Sequence, residues 1–405
     1  MPYYGWDEKY LSLVRQTIRE FCKKELTREY VRWMDENCDF PPDDLWKKLG
    51  EIDAFQWDFT NPYANLIIQE ELATASAAVM IAIGASVHFG MGFIAMIGNP
   101  SQQAKYLPRL MKGELKMCMA LTEPTGGTDI LNALQTTAVE DGDYYVLNGQ
   151  KVFITAAHVA DYLITIAITD PEAPKKDSWS VFIVDAKTPG ITVRKIPKLG
   201  IHACACNEIF YDNVRVHKDN MLGRKNKAYQ FLVAGERGKE KKAPSSDDKR
   251  KKGNNAMVAL FNMERVSTAI LSLGIANAAY QDALAYAKQR MAFGRPIGQF
   301  QIIQHYLVEM AIQIENARNM IYGSISRSLA GYESAKQAQM AKIVAARASE
   351  YCAIKGMEIL GGYGYTMEYD MQRYFRDYKQ MVFAPITDEM AINVIAHMLG
   401  LPKSY

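Results

Sequence analysis

Apolar positions divide the chain into three zones of different texture. In residues 7–117 they recur at three- and four-residue steps, as at Tyr10-Leu11, Val14, Ile18 and Phe21-Cys22. Such spacing puts them on one face of a helix. Glu70–Gly98 extends this zone as an Ala- and Ile-rich run with scattered glycines. Between 118 and 222 the period changes. Tyr144–Leu147, Lys151–Thr155, Tyr162–Ile168, Trp179–Asp185 and Ile191–Ile196 are short β-branched or aromatic runs, which suit a pleated, half-buried surface. Asn148-Gly149 between the first two predicts a hairpin turn, because both turn positions favour positive φ. An antiparallel β domain is expected. After Gly223 the helical period returns, with Ile303, Leu307, Met310, Ile314 and Ala317 on one stripe. Val266–Ala287 is apolar almost all round, which predicts a buried helix in a bundle that also forms subunit contacts.

Gly235–Gly253 stands apart, with eight basic and four acidic side chains and no large apolar residue. It cannot pack as core. A basic arm meeting phosphates and a solvated surface loop both fit; its composition favours the loop.

Length and composition fit a globular chain of two or three domains, at 405 residues, 49 % hydrophobic and 23 % charged. A formal net charge of +2 does not point to nucleic acid or an anionic membrane. Six cysteines are scattered, and the C-x-C of Cys204 and Cys206 lacks a second pair to complete a metal shell. Reduced thiols and no metal are expected. The opening MPYYGWDEKY is too polar for a signal peptide, and no membrane span is expected. This predicts a soluble protein of the cytoplasm, or of the mitochondrial matrix in a eukaryote. No G-x-G-x-x-G or Walker sequence occurs, so any flavin is held outside a Rossmann fold.

Four segments carry more. Met119–Asp129 reads MALTEPTGGTD, Asn148–Thr155 NGQKVFIT, Arg290–Gln301 RMAFGRPIGQFQ, and Gly361–Asp377 GGYGYTMEYDMQRYFRD. In this order and approximate spacing they resemble the signature segments of acyl-CoA dehydrogenases, over nearly the whole chain. The resemblance implies an α+β chain: an N-terminal α domain (1–117), a middle antiparallel β barrel (118–222) and a C-terminal four-helix bundle (223–405). It also implies FAD as cofactor, an acyl-CoA substrate, an electron-transfer flavoprotein as redox partner, and a homotetramer built as a pair of dimers.

By the same resemblance, Met119, Leu121 and Thr122 edge the pyrimidine side of the flavin. Phe153 packs on its ring and Thr155 lies near N5. Arg290, Phe293 and Gln301 hold the diphosphate and adenine across a subunit interface. An arginine suits that task because its planar fork pairs two phosphate oxygens. Gly361 and Gly362 would let backbone approach the pyrophosphate. Glu358 replaces a frequent Gln of the family, so a ligand there meets a negative charge. Thr387 and Glu389 fall on the flavin side, with Asp388 between them. Thr128 stands near the CoA chain. Asn262 and Arg265 match contacts to the pantetheine or adenosine, and Ala85, Ala384 and Ile386 line the acyl pocket.

One departure is chemical. The family's reaction removes a proton α to a thioester and a hydride from the β carbon, which needs a placed carboxylate and donors on the carbonyl. Most members place that Glu in an E-G-T segment. Here the segment reads Pro385-Ile386-Thr387. Proline offers neither a carboxylate nor a backbone N–H. Members acting on branched or long acyl groups resemble this chain at Met263-Glu264-Arg265, which makes Glu264 the expected base. His88 is expected to be structural. Three readings follow: an acyl-CoA dehydrogenase using Glu264; a relative running enoyl-CoA reduction, cyclic acyl-CoA dehydrogenation or a redox-neutral lyase reaction; and a catalytically silent FAD- or acyl-CoA-binding protein, against which the intact flavin motifs argue.

Overall fold

The computed structural model describes residues 7–55, 61–228, 256–330, 332 and 334–402, the side chains of 131, 176 and 256–263 excepted. The basic segment 235–253 and the side chain of Asn262 lie outside the described residues.

The N-terminal zone consists of α1 (Glu8–Glu25), α2 (Arg28–Asn37), α3 (Asp43–Glu51), α4 (Pro62–Ala75), α5 (Ala77–Ile83), α6 (Phe89–Ile97) and α7 (Pro100–Met111). Leu11, Ile18 and Cys22 are buried on α1, as the spacing predicts. Helix starts follow capping chemistry. Asn99 and Gln102 form a reciprocal capping box at α7 with Pro100 in the first turn, and Asn61 caps α4 ahead of Pro62.

Helices α5 and α6 join through a π turn, Gly84–His88, into one run. By length and composition Ala77–Ile97 is apolar enough to cross a membrane, which corrects the expectation that no stretch approaches a span. Of its most apolar window 72 % is buried in the protein. The apolarity serves a core helix packed between the sheet and the bundle.

In the middle zone β1 (Met117–Ala120) precedes a short α8 (Ile130–Ala133). Then come β2 (Thr137–Asp141), β3 (Tyr144–Thr155), β4 (Tyr162–Ile168), β5 (Trp179–Asp185), β6 (Ile191–Ile196), β7 (Cys206–His217) and β8 (Met221–Leu222). They form one sheet in the order β6-β7-β3-β2-β4-β5-β8, with β1 alongside β4. Most pairs are antiparallel, as expected. The sheet is nonetheless mixed, since β1 and β2 each meet β4 in parallel, and among the described residues it does not close into a full barrel. Both its faces are covered. On β4, Ile164 and Ile166 face the helical core while Leu163 and Ala167 face a second core with Phe182, Val184 and Ile209. That is why β4 and β5 read as continuous apolar runs.

Asn148-Gly149 is not a turn. Strand β3 runs through it, and the turn lies at Gly142-Asp143, where Gly142 has φ +61°. At Gly149 the register against β7 shifts, and an added Cβ would sit 2.7 Å from Thr136 Cα. Asn148 Oδ1 accepts from Asn213 N at 2.8 Å. The dipeptide serves a bulge and a close backbone approach, two further uses of the same residues.

The C-terminal zone packs α9 (Ala256–Gln289) against α10 (Gln301–Leu329), α11 (Ala335–Leu360) and α12 (Met371–Phe383), with α13 (Asp388–Met398) on α11. Between α9 and α10 lies the small ribbon of β9 (Met291–Ala292) and β10 (Arg295–Pro296). On α10 the expected stripe is buried at Leu307, Met310, Ile314 and Ala317, and half-buried at Ile303. Helix α9 is largely buried from Val266 to Ala287, with Gln281 and Ala285 exposed.

Candidate active site

The TEP and NGQK segments meet through a buried ion pair. Lys151 Nζ lies 2.7 Å from Glu123 Oε1 and also donates to Leu121 O (3.2 Å) and Ile166 O (2.8 Å). Glu123 accepts from the backbone N–H of Gln135 (2.5 Å) and Thr136 (3.0 Å). Burial pushes the Lys151 ammonium down to about 8, opposed by Glu123. Val152 N donates to Thr122 O at 2.9 Å. Leu121, Thr122 and the end of β3 are thus held in one frame.

Within that frame Phe153 is 64 % exposed at φ +59°, where the β3–β7 register shifts a second time. A bulky residue in the left-handed region costs about 1–3 kcal/mol. The bulge turns its ring away from both cores. Met119 and Thr155 stand half-buried beside it on β1 and β3, while Thr128 is exposed in the turn before α8.

A second group lines a cleft of about 590 Å³ containing Arg290, Gly361, Gly362, Tyr363 and Thr366. The Arg290 guanidinium lies over the Tyr363 ring, 5.8 Å from its centroid. Gly361 has φ +59°, and a Cβ built on Gly361 or Gly362 meets nothing within 4 Å. Here the glycines serve backbone conformation and an open wall rather than a crowded contact with this chain's own atoms. Phe293 is 95 % exposed at φ +51° with its edge toward Phe300, and Gln301 is exposed at the start of α10. Neither lines the cleft. Glu358 is exposed and paired to Lys355 at 2.7 Å, so the negative charge expected there is largely offset.

The remaining residues lie on α9, α11, α13, the turn before α13 and the π turn; α9 begins at Ala256, so Glu264 is its ninth residue and not, as expected, at a helix start. Glu264 is half-buried, and loss of water around its carboxyl raises its pKa to about 7 against the pull of Arg265. Arg265 also acts on the buried Lys342 of α11, as does Glu389 of α13. Lys342 Nζ donates to Asp388 Oδ1 at 2.6 Å. Asp388 is therefore committed to an ion pair. Thr387 caps α13, its Oγ1 accepting from Met390 N at 3.2 Å, and Glu389 is exposed. Pro385 is exposed between half-buried Ala384 and Ile386. Ala85 and His88 are buried in the π turn, and burial lowers the His88 pKa to about 4. That imidazole is neutral near pH 7.

The R-D segment joins zones. Ile201 N donates to Asp377 Oδ1 at 2.6 Å, and Arg376 reaches Asp35 Oδ2 at 2.5 Å. A helix of the bundle is thereby fastened to a β-domain loop and to α2, which fixes the gap between sheet and bundle.

Residues 9–114, 118–214 and 251–400 match, in turn, the N-terminal, middle and C-terminal domains of acyl-CoA dehydrogenase. This chain belongs to the acyl-CoA dehydrogenase family. It is 33 % identical to a 3-(aryl)acrylate reductase of Clostridium sporogenes, over 96 % of this chain and 98 % of that one. It is 32 % identical to the caffeyl-CoA reductase-Etf complex subunit CarC of Acetobacterium woodii, over 96 % and 97 %. Among solved structures, butyryl-CoA dehydrogenase from Megasphaera elsdenii superposes with a TM-score of 0.85 at 29 % identity, covering 98 % of this chain and 99 % of that one. Acyl-CoA dehydrogenases are oxidoreductases acting on CH–CH groups, and their cofactor is FAD. The residues present fit that group: an outward aromatic on a strained bulge, and a glycine wall beside an arginine.

Sequence reasoning missed three devices: Lys151 with Glu123, Lys342 with Asp388, and the anchoring of Asp377 on Ile201. For Lys342 a lone lysine inside an apolar run was the available signal, because a buried ammonium demands a partner; Lys151 follows the polar Asn148-Gly149-Gln150 and carried none. The third pairs residues 176 positions apart and left no local trace.

Proposed function

We propose that this protein is an FAD-dependent acyl-CoA dehydrogenase in which Glu264 takes the α proton. FAD, when bound, accepts the β hydride at N5, and the electrons pass to an electron-transfer flavoprotein. One observation carries the assignment. Around the Pro385 segment, Asp388 is tied to Lys342 and Glu389 is exposed, while Glu264 is a half-buried carboxyl near 7. Near neutral pH such a group can hold or release a proton at little cost. Arg265 favours its charged form.

Phe153 would stack on the isoalloxazine, with Thr155 near its N5 and the Met119–Thr122 strand end along the pyrimidine. Arg290, Phe293, Gln301 and the Gly361-Gly362 wall would take diphosphate and adenine. No residue of the Phe153 group lines the Arg290 cleft. If a second copy supplies the cleft, one ligand meets both groups, which fits a subunit-spanning FAD site within the proposed homotetramer. Thr128, Asn262 and Arg265 would meet CoA, and Ala384 and Ile386 the acyl group. The Etf-complex name of one relative supports the redox partner.

A second reading is enoyl-CoA reduction, in which Glu264 protonates the α carbon. A pKa near 7 serves an acid as well as a base, and two relatives bear reductase names. Anaerobic mixing with saturated straight, branched and cyclic acyl-CoAs, watching flavin absorbance, tests the first reading. Bleaching supports it. Reoxidation of the reduced enzyme by enoyl-CoAs alone supports the second.

A further inference from the structure

The turn between α12 and α13 has few fastenings of its own. Pro385 contributes no N–H, and the helix ends supply Ala384 N to Gln380 O (3.0 Å) and Ala391 N to Thr387 O (2.9 Å). Lys342, on α11, spans the gap. Its side chain is fully buried. Nζ donates to Val382 O at 2.8 Å, near the C-terminal end of α12, and to Asp388 Oδ1 at 2.6 Å, in the first turn of α13. Helix ends leave carbonyls and N–H groups without intrahelical partners, so one cation accepted at both ends fixes their separation. The five residues between, Phe383 to Thr387, include Ala384 and Ile386.

We infer that Lys342 is a positioning residue: it clamps both ends of the Phe383–Thr387 turn and so sets the shape of the acyl-binding wall that Ala384 and Ile386 form. The inference rests on the site proposed above. Groups acting on Lys342 are Asp388 and Glu389 from α13 and Arg265 from α9. A buried ammonium has three donors to satisfy, and here two of them reach opposite ends of one turn. An energetic clamp on the wall should alter which acyl groups fit. One methylene of misfit is worth roughly 10- to 200-fold in selectivity.

The test uses purified flavoprotein carrying Lys342→Met together with Asp388→Leu, which avoids stranding a buried carboxylate. A second variant, Lys342→Arg, keeps the charge. Melting temperature, bound flavin, and kcat and KM over straight, branched and cyclic acyl-CoAs are measured. Expected is a change of about tenfold or more in the ratio of kcat/KM between narrow and wide acyl groups, with flavin content kept and partial restoration in Lys342→Arg. Unchanged ratios, or an equal fall for every substrate that tracks a lowered melting temperature, would overturn the inference. Glu264→Gln is run alongside. Activity surviving there removes the base assignment, while the selectivity ratios still judge Lys342.

Discussion

Lys151 and Glu123 meet at 2.7 Å with both side chains buried, and this pair ties the strand that carries Phe153 to the segment that carries Thr122. Removing one partner strands the other charge. Lys151→Met is expected to cost about 3–5 kcal/mol. It also frees the carbonyls of Leu121 and Ile166. Denaturant unfolding should register the loss, and flavin retention should fall with it. A variant as stable as the parent would show that the pair contributes nothing.

Glu264 gives a pH signature with a definite sign. Its pKa rises from 4.5 in the unfolded chain to about 7. Between those values the native state holds a proton that the unfolded chain has released. Stability therefore falls as pH rises across the window, by up to about 3 kcal/mol. Glu264→Gln should abolish this slope, matching the parent's stability trend below pH 4.5 and exceeding it above pH 7. Unfolding curves at pH 4, 6 and 8 check it.

The same titration governs catalysis. As a base Glu264 must be ionised, so substrate bleaching should slow as pH falls through about 7. In the reductive direction the dependence reverses, because the acid form is needed. Glu264→Gln should remove bleaching and leave FAD bound. Stopped-flow traces across pH 5.5–8.5 decide between the two directions.

Gly200 shows why the R-D segment matters mechanically. A Cβ there would lie 2.6 Å from Asp377 Oδ1 and 2.7 Å from the Arg376 carbonyl. Gly200→Ala must push the loop from the bundle and weaken the Ile201–Asp377 bond. A loss of about 1–3 kcal/mol is expected, as for other overpacked sites. Thermal unfolding measures it; limited proteolysis should reveal the loosened β domain.

Periodicity made much of this fold legible. The α10 stripe and the extensive burial of α9 follow from side-chain spacing alone, because a helix must bury whichever face is apolar. Asn148-Gly149 misled because positive φ and absence of a Cβ serve bulges as well as turns. The parallel pairing of β1 with β4 escaped notice because strand direction depends on the path of the chain, not on composition. At the proposed site, motifs single out Phe153, Arg290 and Gly361. The contacts that hold their surroundings join residues far apart, Lys151 with Glu123 across 28 positions and Asp377 with Ile201 N across 176, beyond any local pattern.

Phe153 separates a cofactor-facing aromatic from a core one. A buried Phe replaced by a small residue costs about 3–5 kcal/mol. Phe153 is 64 % exposed and strained at φ +59°. In Phe153→Gly the strain is relieved, and the greater freedom of glycine in the unfolded chain offsets the gain to within about 1 kcal/mol. The apoprotein should therefore unfold close to the parent, while the loaded enzyme loses flavin faster on dilution and shows a shifted flavin absorbance. A large fall in apoprotein stability would mean that the ring packs as core, and the flavin wall would have to be sought on another face of the sheet.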